Sequence, residues 1–526
     1  LSCKEKNINE PQEEVSNKII HSKEQFETSK TEIISPKEHV FDAVLQVSGK
    51  IDVPAKDKAK ITAVLGGYIK TSNIIIGQKV SKGQAIAIIE NTEFIDIQRD
   101  YLEVSEQLTY LKSEYLRQKA LFEENITSQK NYLKAESDYK RIKSNQENYI
   151  NEVIRSSSDE ELSKYALESF LFRDTRYAHP IGGTSQGLTN VSLEEVVRYH
   201  KASFTTRNLM LGIAGAYSDP YLLKLQEAMM KLPDANPSTL QPVVARNPKG
   251  LQVEIITKQH TLGSAIFAGF PLEITRSQDE FAALMVANSW LGEHRKSYSR
   301  LYQKIREQRS MNYGDYTYIE WYENGGSNML PQPGYPRKSN YFSIWLRPVQ
   351  TAGALKSQYP ELKEIKIGHA HFALRMALRE LQTMVEKGMT HEDFELTRDF
   401  LRSYTKLYIH TPAKQLGFLM DSKFYGRNDF IGELDVMLER LSLDDVNAAI
   451  QKHWQSKNMF ITIVTDKAEA EPLKESLMNG LRSPMSYADA LRATLPPEIL
   501  AEDEDVSNYP MQVTSVEIIS DQSLFR

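Results

Sequence analysis

Residues 94–143, FIDIQRDYLEVSEQLTYLKSEYLRQKALFEENITSQKNYLKAESDYKRIKS, constrain this chain more than any other stretch. Apolar or aromatic residues stand at 104, 108, 111, 115, 122, 126, 133 and 139, while Lys, Glu and Gln crowd the other positions. Gaps of three, four and multiples of seven put those residues on one stripe of a helix. The pattern predicts one long amphipathic, coiled-coil-like helix over residues 94–145. A helix of roughly 50 residues cannot stand alone in water, because its apolar stripe needs a partner. The whole chain, 526 residues, is too long for one core and implies roughly two to four domains.

Beyond residue 147 the pattern changes to helices alternating with short strands. Ser156–Ser158 break one amphipathic segment, and Asp159-Glu160-Glu161 suit the first turn of the next helix. Leu209-Met210-Leu211-Gly212-Ile213-Ala214 reads as a buried strand, and LQVEIITKQHTLGSAIFAGFPL as two strands separated by a turn. NYFSIWLRP and NMFITIVTD supply further strands. Long helices fall over 361–387 and 391–425, and VTSVEIISD adds an edge strand in an acidic, Pro-containing extension over 484–526. The fold class is α+β, with helices covering one face of a mostly antiparallel sheet.

Within this region, residues 295–326 combine a basic helix with an aromatic strand. Leu301 and Ile305 share one face of the helix, which carries Arg300, Lys304, Arg306 and Arg309. Alternation then begins at Tyr313 and continues through Tyr316, Tyr318 and Trp321. If the helix docks beside the strand, Arg306 and Tyr313 face one cleft, where a guanidinium and a phenol can grip the carbonyl or carboxylate of an extended peptide.

Charge excludes one class of partner. A net charge of −6 gives no global basic footprint, so nucleic acid is not expected. No stretch of about 18 apolar residues is present, so no integral membrane helix is expected either. One cysteine excludes an internal disulfide framework and a thiolate zinc cluster.

Near that cysteine the chain opens Leu1-Ser2-Cys3-Lys4 and runs polar to about residue 38, which resembles the tail of a bacterial lipobox. The resemblance implies a lipidated Cys3 on a flexible tether over 1–38, with membrane contact only through that anchor. Residues 39–93 read as β, with Val80, Ile86 and Ile88 as a buried face. IGQKVSKGQAIAIIE, punctuated by Gly77 and Gly83, resembles the lipoyl-like hammerhead of periplasmic adaptor (membrane fusion) proteins of efflux pumps. The helix over 94–145 is similar to the outgoing arm of the adaptor hairpin, while the return arm is not evident in the sequence.

Residues 146–483 resemble one half of an M16 (insulinase, pitrilysin or processing-peptidase-like) metallopeptidase. The resemblance rests on HPIGGTSQGL at 179–188, VSLEEVVRYH with TRNLMLGIAG at 191–215, SRLYQKIREQRSMNY at 299–313, and SLDDVNAAIQKHW leading to IVTD at 442–466. It implies Zn²⁺ held by H-x-x-E-H and a further glutamate, with the motif's Glu deprotonating a bound water. None of the eleven histidines forms that motif in either direction. His369 and His371 are two apart, point to different helix faces and read as ordinary helix positions. Glu152 lies where the family's third ligand would fall, as a remnant that cannot hold zinc alone. Arg306 and Tyr313 match the family's substrate-binding pair.

These readings give a cell-envelope or periplasmic, M16-like protein without catalytic residues. No metal is expected to be bound by this chain alone. Its expected partners are extended peptides, taken through Arg306, Tyr313 and the exposed edge of a strand by strand addition, or an M16 catalytic subunit that it completes. The alternatives are an adaptor subunit working with efflux-pump components and a nonfunctional fusion joined near residue 145.

Overall fold

The computed structural model describes residues 22–29, 68–72, 74, 78–81, 84–90, 94–124, 126–179, 187, 190–236, 243–293, 296–323 and 330–525. Leu1–Thr62 forms one compact unit and Ala63–Arg526 another. Within the first, helix α1 (Lys23–Thr28) is a single capped stretch, in which Ser22 and Gln25 form a reciprocal capping box. The stretch read as a flexible leader therefore holds local order at these residues. Cys3 lies outside the described residues.

In the second unit β1 (Tyr68–Ser72) and β2 (Ala87–Glu90) form an antiparallel ribbon. Val80 is 55% and Ile88 52% exposed. This corrects the expected buried face at these two positions: among the described residues the ribbon has no second layer to bury a side chain against.

The single helix expected over 94–145 is instead two. Helix α2 (Phe94–Glu123) and helix α3 (Gln129–Ser157) pack as an antiparallel hairpin. Tyr115 stacks on Tyr139 at 5.4 Å and Phe122 on Tyr132 at 5.1 Å, which fixes the direction of the return arm. Ala135 and Ile142, seven apart, are buried on the same seam. The reversal is made where Ile126 N–H donates to Leu121 O at 2.7 Å and Asn131 N–H to Ser128 Oγ at 3.3 Å. The apolar spacing ran through the break because the chain turns back onto its own stripe. The arm then continues past residue 145 to Ser157, so the change of pattern near 147 falls inside a helix.

Helix α4 (Asp159–Leu171) follows after one residue, Ser158, whose side chain accepts from Glu161 N–H. Helix α5 (Leu193–Ser203) and helix α6 (Asp219–Met229) come next. The expected strand over 209–214 forms no ladder, and Leu209, Met210 and Leu211 are exposed. Its residues have strand character, but no neighbouring strand among the described residues takes up its backbone groups.

The sheet itself contains β3 (Leu251–Lys258), β4 (Gly263–Leu272), β5 (Asp315–Tyr318), β6 (Asn340–Gln350), β7 (Met459–Asp466) and β8 (Val513–Ser520). Its order is β5-β6-β4-β7-β3-β8. The pairs from β5 to β7 are antiparallel, and β3 runs parallel to both β7 and β8. The two strands read on either side of a turn are thus separated by β7. The edge strand expected from VTSVEIISD is β8.

Helices α7 (Glu280–Gly292), α8 (Ala370–Lys387), α9 (His391–Tyr404), α10 (Pro412–Phe424), α11 (Phe430–Arg440), α12 (Leu443–His453) and α13 (Lys467–Met478) build the main core with one face. Ile266, Phe342, Ile344, Ile461 and Ile463 point into it. The expectation of a single covered face is corrected, because α4 covers part of the second. There Leu167 and Phe170 meet Phe267, Tyr341, Trp345 and Phe460. Continuous burial along β4 and β7, with no alternation, requires layers on both sides. Helix α14 (Pro497–Ser507) makes the C-terminal segment part of this body: Arg375 donates to the Ser507 carbonyl.

Candidate functional site

Four cations stand between residues 300 and 309, and three of them are neutralised at once. Arg300 donates to Glu380 on α8 at 2.7 Å, and Lys304 to Glu502 on α14 at 2.7 Å. Arg309 is fully buried, with Nε 2.6 Å from Asp503 and Nη2 2.9 Å from Glu502. Leu301 and Ile305 are buried in the core as their spacing implied. That anchoring fixes the helix face and turns Arg306 away from the carboxylates of α14.

Arg306 is held by rings instead. It lies on a wide π-helical turn, Tyr302–Glu307, with its guanidinium carbon 4.9 Å from the Tyr302 ring centre and 4.6 Å from that of Tyr313. Such turns recur at functional sites, where they re-aim a side chain. Glu307 approaches only to 3.9 Å. Among the described residues the Arg306 guanidinium makes no hydrogen bond. The structure thus brings Arg306 and Tyr313 together, and Tyr313 is 55% exposed.

The turn that presents Tyr313 is locally enforced. Ser310 has φ 51° and Gly314 φ 152°, so the chain reverses sharply out of the helix and into β5. Asn312 Nδ2 donates to Asp315 Oδ1 at 2.8 Å and to the Arg347 carbonyl at 3.1 Å, tying the turn to β6. Asp315 is buried beneath it, and burial pushes its carboxyl up to about 8. Arg347 closes the group from β6, 5.3 Å from the Tyr313 ring centre, with Nε donating to Glu160 of α4 at 3.0 Å. Burial also raises the Glu160 carboxyl, opposed by the Arg347 charge.

Sequence reading missed Arg347, Asn312 and Asp315 as members of this group, and saw Glu160 only as a helix-start residue. Arg347 ends an aromatic strand, but nothing local assigns it a neighbour 34 residues earlier.

The strand beside the pair is not available for peptide addition. Thr317 of β5 gives its carbonyl to Asn288 Nδ2 at 3.1 Å, and a Cβ at Gly292 would lie 2.4 Å from Thr317 N. Helix α7 therefore covers that edge at Thr317, which leaves no room for a strand added to β5 there. The open edge is β8, five strand spacings away, or about 24 Å.

A zinc ion does not fit the described residues. Among the described residues no group of three His, Cys, Asp or Glu side chains could hold a metal. His369 Nε2 donates to the Ser486 carbonyl at 2.9 Å, and His371 Nδ1 hydrogen-bonds with Ser476 Oγ at 2.9 Å. Burial lowers their pKa values to about 4 and about 3. Both are packing residues. Glu152 lies in α3, with its side chain outside the described residues.

Residues 190–401 match the family model of the peptidase M16 inactive domain. The chain is 27% identical over 130 residues to the cobalt-zinc-cadmium resistance protein CzcB of Cupriavidus metallidurans, covering 24% of this chain and 25% of that protein. It is 20% identical over 318 residues to the non-peptidase homolog YmxG of Helicobacter pylori, covering 60% of this chain and 65% of that protein. The chain thus spans a quarter of the first relative and under two thirds of the second. The crystal structure of the peptidase M16 inactive domain from Pseudomonas fluorescens shares the fold, with a TM-score of 0.50 at 16% identity over 64% of this chain and 75% of that one. The folded body thus contains a stretch, residues 190–401, that matches an M16 inactive domain, and it shares that domain's fold. In this chain it is joined to a region matching CzcB-like periplasmic adaptor proteins.

Proposed function

We propose that the chain is a non-catalytic, peptide-binding M16-type protein of the cell envelope, with Arg306 and Tyr313 as its grip. The observation that carries this reading is the isolation of Arg306. Its neighbours Arg300, Lys304 and Arg309 are bound to carboxylates, while its guanidinium stacks on Tyr302 and Tyr313, has Glu307 only at 3.9 Å and makes no hydrogen bond among the described residues. A cation oriented by rings suits a peptide carbonyl or carboxylate that arrives from solvent. Because α7 closes the β5 edge, the peptide is held through side-chain donors and not as an added strand. Binding of an unstructured peptide, measured by fluorescence anisotropy, tests the grip. Arg306→Ala is expected to weaken it about tenfold, as loss of a charged hydrogen bond would, and Tyr313→Phe by less. Unchanged affinity in both variants would remove the grip.

The same body exposes an apolar surface over α5, α6 and the extended run between them, including Val197, Tyr199, Phe204, Leu211, Tyr217 and Leu223. This supports a role beside an M16 catalytic subunit, whose own sheet would cover the face. Co-expression with such a subunit, followed by size-exclusion chromatography, is expected to give one complex that Leu211→Asp disrupts. Separate elution of the two chains would count against this role.

A second reading, an adaptor working with efflux-pump components in the periplasm, is favoured by the α2–α3 hairpin together with the CzcB match. Its test is crosslinking from the hairpin tip at Ser128→Cys to envelope proteins in intact cells. Absence of any pump component among the products would set it aside.

A further inference from the structure

We propose that the Arg306–Tyr313 grip selects peptides that carry a carboxylate, with Arg347 as the residue that sets this specificity. The inference rests on the peptide-binding reading and adds a substrate class to it. Arg347 comes from a different element and a different part of the sequence, yet meets the same ring. Its guanidinium carbon is 5.3 Å and that of Arg306 4.6 Å from the Tyr313 ring centre, so the two cations lie within about 10 Å of one another. Only Nε of Arg347 is committed, to Glu160, and among the described residues its Nη donors make no hydrogen bond.

The local charge favours an anion. Glu160 is the one carboxylate in hydrogen-bond contact with either guanidinium among the described residues. Glu307 stands 3.9 Å from Arg306, on an exposed side chain where water screens it. Asp315, directly beneath, is held in its neutral form at neutral pH by burial. Two guanidiniums with spare donors therefore face solvent around one exposed phenol. An incoming carboxylate can take charge-assisted bonds from the Nη groups of either and feels the charge of both, whereas a neutral amide oxygen gains only the weaker version of the same contact. Glu160 already demonstrates the chemistry in miniature, since a carboxylate sits at hydrogen-bond distance on Arg347.

The test uses the full chain and three ten-residue, N-acetylated, fluorescently labelled peptides of otherwise identical sequence. One has central Glu residues and an amidated C-terminus, one has Gln with the amide, and one has Gln with a free terminal carboxylate. The wild type is expected to bind at least one carboxylate peptide about tenfold more tightly than the neutral one, as a charge-assisted hydrogen bond implies. Which of the two gains separates a side-chain from a terminal carboxylate. Arg347→Gln is expected to reduce the advantage to within about twofold, with the loss falling on the charged peptides. Glu160→Gln, which keeps the helix start intact, is expected to widen it. Equal affinity for all three peptides in the wild type, or an undiminished advantage in Arg347→Gln, overturns the proposal. Arg306→Ala is read on the neutral peptide: insensitivity there removes the grip itself. No binding of any peptide by the wild type removes both.

Discussion

Residues 190–236 and residues 243–525 lie in one folded unit, yet they are packed in opposite ways. In the second stretch the helices bury one whole face of the sheet, α4 covers part of the other, and Phe281, Phe342, Phe372 and Phe430 are almost fully buried. In the first, α5 and α6 turn large apolar side chains outward, and the extended run between them pairs with no strand among the described residues. The two have similar local grammar: Ser192 caps α5 with the same box by which Ser442 caps α12. Local signals therefore decide where a helix begins, but burial depends on whether another layer exists to receive it. The contrast shows which part of the body is closed by its own layers and which part leaves apolar side chains exposed.

The sharpest way to break that comparison is to remove matched side chains from the two stretches. Phe342→Ala is expected to cost about 4 kcal/mol in urea unfolding, as for other buried phenylalanines. A cost below 1 kcal/mol would mean that the sheet core is not the source of stability. Next in size is Asp503→Asn, which leaves buried Arg309 with Glu502 as its remaining carboxylate partner. About 3 kcal/mol is expected, by analogy with broken buried pairs, together with detachment of α14 seen as faster amide exchange in 497–507.

The third prediction concerns acid. The folded-state pKa values of His369 and His371, about 4 and about 3, lie below the ordinary value of 6.5. The unfolded chain then binds more protons than the folded one as pH falls below 6.5. Their contribution is fully present above that value and is lost on acidification towards the folded values. Lowering pH from 7 to 5 should cost about 2 kcal/mol for each histidine. His371→Gln should flatten that slope in unfolding curves taken at several pH values, and an unchanged slope would refute the assignment. The smallest effect belongs to the other stretch. Leu211→Ser, at a 52% exposed position, should change stability by no more than about 0.5 kcal/mol. A large loss would show that the 209–214 run is packed in solution.

Legibility in the sequence followed the distance over which each contact is made. Leu301 and Ile305 announced their buried face through spacing alone, and Val513–Ser520 announced a strand. Arg309 gave no sign of burial, because Glu502 and Asp503 lie more than 190 positions away. The hairpin was hidden for a different reason. Its apolar register is kept across the reversal, and the marker is the helix-start residue Ser128, not a Gly or Pro. The grip pair was legible because Arg306 and Tyr313 are seven residues apart on one continuous turn. Arg347 and Glu160 were not, because they reach Tyr313 only once β6 and α4 have been laid beside it.

One consequence follows from the single residue between α3 and α4. Ser158 has extended backbone, φ −101° and ψ 112°, while helix precedes it for 29 residues and follows it for 13. At 1.5 Å per residue the preceding arm is about 43 Å long, so a tilt of about 5° at Ser158 sweeps its far end through about 4 Å. Glu160 stands two residues beyond that pivot, with its carboxylate on Arg347. The hairpin thus meets the folded body through one extended residue, two positions from the carboxylate that pairs with Arg347.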